Sequence, residues 1–220
     1  MAFETARLLL RDWREADRVP FAEMNADPEV MRYFPSPLTA EETDAMLERI
    51  RLHFDSHGFG LWAAELKETS EFAGYIGLAV ASFEAHFTPC VEIGWRLAAR
   101  FWNRGLATEG ASAMLAFAHG GLGLGEVVSF AAAENVASRR VMEKIGMIRD
   151  AAGDFDHPRI PRGHPLSRHV LYRSRRGSSA GTSANQEQGI DAGKPRIYTL
   201  VKFLLLSKRS SSLRFISTRR

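Results

Sequence analysis

The stretch Glu92-Ile-Gly-Trp-Arg-Leu-Ala-Ala-Arg-Phe-Trp-Asn-Arg-Gly-Leu-Ala-Thr-Glu109 holds the densest set of residues whose types and spacing suit chemistry. It reads as a strand, a short turn with one pivotal glycine, and the start of a helix. The first turn of a helix carries backbone N–H groups without intrahelical partners and a partial positive charge, so it suits a diphosphate. Within Trp102-Asn103-Arg104-Gly105-Leu106-Ala107, Gly105 lets the backbone approach an anion closely and Arg104 adds a charged donor. The implied ligand is a phosphate-bearing cofactor. The alternative is a strand-to-helix turn that merely needs a small residue, because neither G-x-G-x-x-G nor Gly-Lys-Ser/Thr is present.

A second constellation follows the apolar run Val127-Val-Ser-Phe130. In Asn135-Val-Ala-Ser138-Arg-Arg-Val-Met-Glu-Lys144-Ile-Gly146-Met147, Asn135 and Ser138 stand three residues apart and share one face at a helix start. An Asn N-cap with a first-turn serine explains the same pair structurally.

These residues need a scaffold, and the hydrophobic periodicity supplies one. Ala6 to Trp13 reads as a strand around Leu8-Leu-Leu10, and Arg14 to Asn25 as a helix. Thr39-Ala-Glu-Glu42 forms a capping box before a helix whose apolar face is Met46, Leu47, Ile50 and Phe54, ended by Gly58 and Gly60. Leu61–Leu66 and Phe72–Val80 form a hairpin. In the strand Cys90–Ala98, alternation puts Val91, Ile93, Trp95 and Leu97 on one face and Glu92, Gly94 and Arg96 on the other. Leu106–His119 is a helix, Glu126–Ala132 a strand and Asn135–Ile145 a helix closed by Gly146. Met147–Asp150 and Arg168–Arg173 are short final strands. The order specifies a mixed α/β domain (α+β) around one sheet.

Composition sets limits. The chain has 220 residues, 45% of them hydrophobic, enough for one core. Its single cysteine, Cys90, excludes an internal disulfide and a multi-cysteine metal site. The loop Asp154-Phe-Asp-His157-Pro-Arg-Ile-Pro-Arg-Gly-His164 matches no zinc spacing, so no metal is expected. Lining of a ligand pocket suits this loop better, with Phe34, Phe59, Trp62 and Phe83 as further wall candidates that also suit the core. No signal-peptide pattern opens the chain, and the apolar run Ile197 to Leu206 is shorter than the roughly 20 residues that span a bilayer. A cytoplasmic protein without a membrane partner is expected. The formal charge of +3 conceals an asymmetry: residues 175–220 hold ten Lys/Arg and two Asp/Glu, a net of +8, which leaves −5 for residues 1–174. The final segment has a linker-like, then basic and serine-rich composition. A folded domain over 1–174 and a basic, largely disordered tail over 175–220 are therefore expected. Nucleic acid is not an expected partner except through that tail.

Taken together, strand, Arg-Gly-Leu-Ala-Thr-Glu helix, strand, Asn-x-x-Ser helix and Glu-Lys-x-Gly-Met resemble the GNAT superfamily of acyl-CoA N-acyltransferases. Glu4-Thr-Ala-Arg-Leu-Leu-Leu-Arg11 and Asp27-Pro-Glu-Val-Met-Arg-Tyr33 resemble the branch of ribosomal-protein N-terminal acetyltransferases. The resemblance covers roughly residues 4–174. It implies a mostly antiparallel sheet flanked by about four helices, with splayed central strands that admit acetyl-CoA. It further implies pantetheine along Trp95, Arg96 and Leu97, and pyrophosphate at Asn103, Arg104, Gly105, Leu106, Ala107 and Thr108. Asn135 orients the cofactor or a water. The implied acceptor is a primary amine, on a protein N-terminus or a small molecule, and homodimers are common in that branch. Glu92 is the candidate base, with pairing to Arg96 as the alternative. Trp102 stands where many members have Gln or Arg, a subfamily trait. Met142 stands where many have a proton-donating Tyr, which leaves Ser138 as candidate donor to the thiolate, or as a hydroxyl bonded to backbone. Two other functions fit the sequence: a non-catalytic acyl-CoA-binding module, and a binder of acidic partners through the tail.

Overall fold

The computed structural model of the chain describes residues 2–177. The tail expectation falls almost wholly on residues outside that range. Eight strands are described: β1 (Phe3–Glu4), β2 (Leu8–Arg11), β3 (Leu61–Leu66), β4 (Phe72–Val80), β5 (Val91–Leu97), β6 (Glu126–Ala132), β7 (Ile148–Asp156) and β8 (Arg168–Arg175). They form one sheet in the order β1-β2-β3-β4-β5-β6-β8-β7. All neighbours are antiparallel except β5 and β6. The helices are α1 (Arg18–Ala26), α2 (Pro28–Met31), α3 (Ala40–His57), α4 (Leu106–Ala116) and α5 (Val136–Lys144). Four of them answer to the expected four, and the one-turn α2 is additional. It starts where Asp27 accepts from the Glu29 N–H and Pro28 fills the first helical position.

Local chemistry explains the elements the periodicity found. The Thr39 hydroxyl accepts from Glu42 N–H at 3.2 Å and the Glu42 carboxylate accepts from Thr39 N–H at 2.9 Å, so the capping box forms. Gly58 closes α3 at φ 72°, a left-handed conformation that glycine adopts without a Cβ clash. Leu47 and Ile50 of α3 are buried, and Met46 and Phe54 pack beside them.

Three elements differ from the sequence expectation. The first helix begins as a 3₁₀ turn at Glu15–Asp17, because Asp17 bonds the Arg14 N–H and pairs with buried Arg11. The helix read over Leu106–His119 is α-helical only to Ala116 and continues as a π-turn over Phe117–Gly121. β7 runs on to Asp156 across a register shift between Asp150 and Phe155. Asp150 accepts from Gly153 N–H within that shift, so Ala151-Ala-Gly-Asp154 is a bulge inside a strand rather than its end.

Candidate active site

β5 and β6 run side by side but share one register pair, Glu92 with Val128. Beyond it β6 follows β8 along its whole length and the two central strands part. The Ser129 hydroxyl, on buried β6, donates to Ile93 C=O at 2.9 Å and pins the fork one residue past its origin.

The fork exposes backbone. Ala98 N–H donates to Ala73 C=O, and Tyr75 lies opposite Arg96 two positions back in the same antiparallel ladder. Bonding partners alternate along such a ladder. Arg96 and Ala98 therefore spend their backbone groups on β4, while Trp95 and Leu97 turn theirs towards the gap. The Trp102 indole N–H closes Leu97 C=O at 2.7 Å. The Trp95 N–H and C=O and the Leu97 N–H are left facing the gap. Of the expected strand contacts, Trp95 and Leu97 thus offer backbone groups there, whereas Arg96 offers its side chain on the opposite face.

At the mouth of the gap the chain turns sharply, with Asn103 at φ 58° and Gly105 at φ 75°, both left-handed. Gly105 is the N-cap of α4, and no side chain caps the helix. The N–H groups of Leu106, Ala107 and Thr108 have no intrahelical acceptor by their position in the first turn. The turn is braced from the N-terminal strands: Arg7 donates to Arg104 C=O at 2.7 Å, and Glu109 accepts from Thr5 Oγ1 at 2.5 Å and from Arg7 N–H at 2.7 Å. Burial pushes the Glu109 carboxyl up, but the Thr5 and Arg7 bonds outweigh it and hold the group below the usual carboxylate range.

A cavity of about 710 Å³ occupies the fork and this mouth. Eleven of the twelve expected site residues line it. These are Glu92, Trp95, Arg96, Leu97, Asn103, Gly105, Leu106, Ala107, Thr108, Asn135 and Ser138. Arg104 is the one that does not; its guanidinium lies 5.9 Å from the Phe101 ring centroid. The side-chain oxygen of Asn135 caps α5 by accepting from Ser138 N–H at 3.1 Å, so the N-cap reading of that pair is realised. The Ser138 hydroxyl itself has no hydrogen-bond partner among the described residues. Met142 is buried and also lines the cavity.

Glu92 sits where the strands diverge. Burial pushes its carboxyl up to about 7, with Arg159 pulling it partly back. The alternative pairing with Arg96 is not formed: four residues of strand separate their Cα atoms by about 13 Å, and the Arg96 guanidinium instead donates to Asn25 Oδ1 at 2.6 Å. Among the described residues the Glu92 carboxyl has neither a hydrogen bond nor an ion pair. The adjacent Cys90 thiol is pushed up to about 12, first by burial and then by Glu92, and does not line the cavity.

The rest of the cavity wall was only partly legible in the sequence. His157, Arg159 and Ile160 of the late loop line it as expected, and so does Phe34. Phe59 and Trp62 are core residues, and Phe83 stacks on Phe155 in a cluster with Phe87 and Phe130. His157 is held down at about 4 by burial, then by His169 and Arg159, so it is neutral at pH 7. Asp154 pairs with Arg149 and accepts from Leu171 N–H, so it braces the β7 bulge. Arg159 donates to the Ser82 C=O and hydroxyl at 2.8 Å, tying the late loop to the segment before β5. Tyr75, Ser129 and His169 line the cavity without having been candidates in the sequence, and so does Tyr33, which ends the Asp27–Tyr33 motif.

The acetyltransferase (GNAT) domain family matches residues 7–148. The chain belongs to the GNAT acetyltransferase family. It is 33% identical over 144 residues to the uncharacterised protein YkkB of Bacillus subtilis, covering 65% of this chain and 83% of that one. The crystal structure of an acetyltransferase from Agrobacterium tumefaciens superposes with a TM-score of 0.64 at 28% identity, covering 80% of this chain and 94% of the other. RimL, a ribosomal L7/L12 α-N-protein acetyltransferase in complex with coenzyme A, shares the fold with a TM-score of 0.65 at 16% identity, covering 81% of this chain and all of its own.

Proposed function

We propose that the protein is an acetyl-CoA-dependent N-acetyltransferase that passes the acetyl group directly to a primary amine. The observation that carries this is the fork itself. It joins a slot with unpaired backbone groups, an uncapped helix start and one carboxyl near neutrality in a single cavity. This set fits acetyl-CoA. The Trp95 and Leu97 backbone groups suit the pantetheine amides, and the N–H groups from Asn103 to Thr108 suit the pyrophosphate. Bound acetyl-CoA supplies an activated acetyl thioester.

Glu92, on the face opposite Trp95, takes the proton that the amine nitrogen must lose, directly or through a water. A backbone N–H of β5 stabilises the negative charge that develops on the carbonyl oxygen as the C–N bond forms. When the C–S bond breaks, the Ser138 hydroxyl protonates the departing thiolate; its position on the cavity wall supports this, and Met142 has no proton to give. Cys90 is protonated at neutral pH and outside the cavity, which favours one direct transfer over an acyl-cysteine relay. Holding amine and thioester together supplies much of the rate. The acceptor is a protein N-terminus or a small-molecule amine.

The test is release of free thiol from acetyl-CoA across a panel of amines and N-terminal peptides, with mass analysis of the products. Amine-dependent release with an acetylated product supports the reading. Acetyl-CoA binding without release with any amine favours the non-catalytic module instead.

A further inference from the structure

One buried charge in the cavity has no use in the reaction just described. Arg96 is 9% exposed, yet among the described residues no carboxylate lies within ion-pair distance of it. Its Nη1 donates to the neutral amide oxygen of Asn25, and its Nε is buried without any partner. The guanidinium carbon stands 4.1 Å from the Phe34 ring centroid and 5.6 Å from that of Tyr75, so aromatic faces hold it on two sides. The fold treats its other deeply buried arginine differently. Arg11, 6% exposed, bonds Asp17 at 2.7 Å and Glu65 at 2.6 Å. A guanidinium has five donors, and burying the charge without a counter-ion is costly unless an anion arrives to complete it. Arg96, Phe34 and Tyr75 all line the cavity, on the strand face that also carries Glu92.

We propose that Arg96 is the anion-binding residue of the acceptor site, and that the acceptor is an amine that also carries a carboxylate. The proposal rests on the N-acetyltransferase reading above. The amine is presented to Glu92 and the carboxylate to the Arg96 guanidinium. The two residues sit four apart on one strand face, with about 13 Å between their Cα atoms, so the spacing of the two side-chain tips selects the span between the acceptor's amine and carboxylate. Phe34 and Tyr75 hold the guanidinium fork in place before the acceptor binds, which lowers the ordering cost of the pair. A free amino acid and a peptide N-terminus followed by an acidic residue present the same chemistry.

The experiment compares matched acceptors that differ only in charge: ω-amino carboxylates of graded length with their carboxamides, and dipeptides with Asp or Asn at the second position. The readout is the ratio of kcat/KM for acid over amide in wild type and in Arg96→Gln. A hydrogen-bonded charge pair predicts a preference for the acid of about tenfold to a hundredfold in wild type, and a ratio near one in the variant. A merely structural Arg96 would lower both rates and leave the ratio alone, which overturns the proposal. If Arg96→Gln does not fold, inhibition of the wild type by des-amino carboxylates and by their amides decides: selective inhibition by the carboxylates supports the proposal, and equal or absent inhibition overturns it. Preference for ω-amino carboxylates over acidic dipeptides identifies a small-molecule acceptor; the reverse identifies a peptide. Acetylation of amines without any acid preference refutes this inference alone, whereas no acetylation of any amine refutes the transferase reading.

Discussion

Glu92 lies at the origin of the fork, and its environment, more than its identity, suits it to the role of base proposed for it. A surface carboxylate near 4.5 is a poor match for proton transfer at neutral pH, whereas one raised to about 7 is well matched. With the carboxyl at about 7, Glu92→Gln should lose most activity at pH above 7, where wild-type Glu92 is ionised. The same shift is a stability statement. The folded-state pKa lies above the unfolded one, so this group's contribution to stability is present at low pH and lost as pH rises from about 4.5 through about 7. Glu92→Gln should therefore raise Tm at pH 8 but not at pH 4, by a difference of about 3 kcal/mol in stability. Equal Tm shifts at both pH values would show that the carboxyl is not desolvated.

At the scale of elements, the turn between β5 and α4 brings the strand's backbone and the helix's N–H groups to one mouth. Gly105 at φ 75° is the hinge of that turn. Gly105→Ala should cost about 1–2 kcal/mol in stability from the left-handed strain and raise KM for acetyl-CoA. An unchanged KM would remove the helix start from pyrophosphate binding. This turn was legible in the sequence because its parts are local: a glycine, a capless helix start and an alternating strand lie within eighteen consecutive residues. The capping box at Thr39 was legible for the same reason. The β7 bulge was not, because Ala-Ala-Gly-Asp has turn composition and only the bonds from Asp150 and Asp154 make it strand. The fork pin was also hidden, since Ser129 is an ordinary strand residue until β5 is placed beside it.

Across the whole molecule, the GNAT resemblance was carried by two motifs some thirty residues apart, and the sheet order puts both on one cavity. Sequence offered separate candidates for the other cavity wall, Phe34 and the late loop among them, but not their meeting. Phe34 comes from the segment after α2, Tyr75 from β4, Arg96 from β5 and His157 from the late loop, and no spacing links them. Among the described residues no helix is long and apolar enough to cross a membrane. Ligand linkage offers a test at this scale. Acetyl-CoA at about a hundred times its Kd should stabilise the fold by about 2.7 kcal/mol, or roughly 5–10 °C in Tm. The absence of any shift at millimolar acetyl-CoA would count against both the transferase and the acyl-CoA-binding readings.

The most direct single measurement is the pH profile of amine-dependent CoA release by wild type and Glu92→Gln, recorded with the same acceptor. Release is expected only when an amine is present. In wild type, kcat/KM should rise through an inflection near pH 7 set by Glu92, followed by the amine's own ionisation at higher pH. In Glu92→Gln, the inflection near 7 should vanish and kcat/KM above it should fall by about 10²–10⁴-fold. Release indifferent to the amine, or two superimposable profiles, would contradict the account.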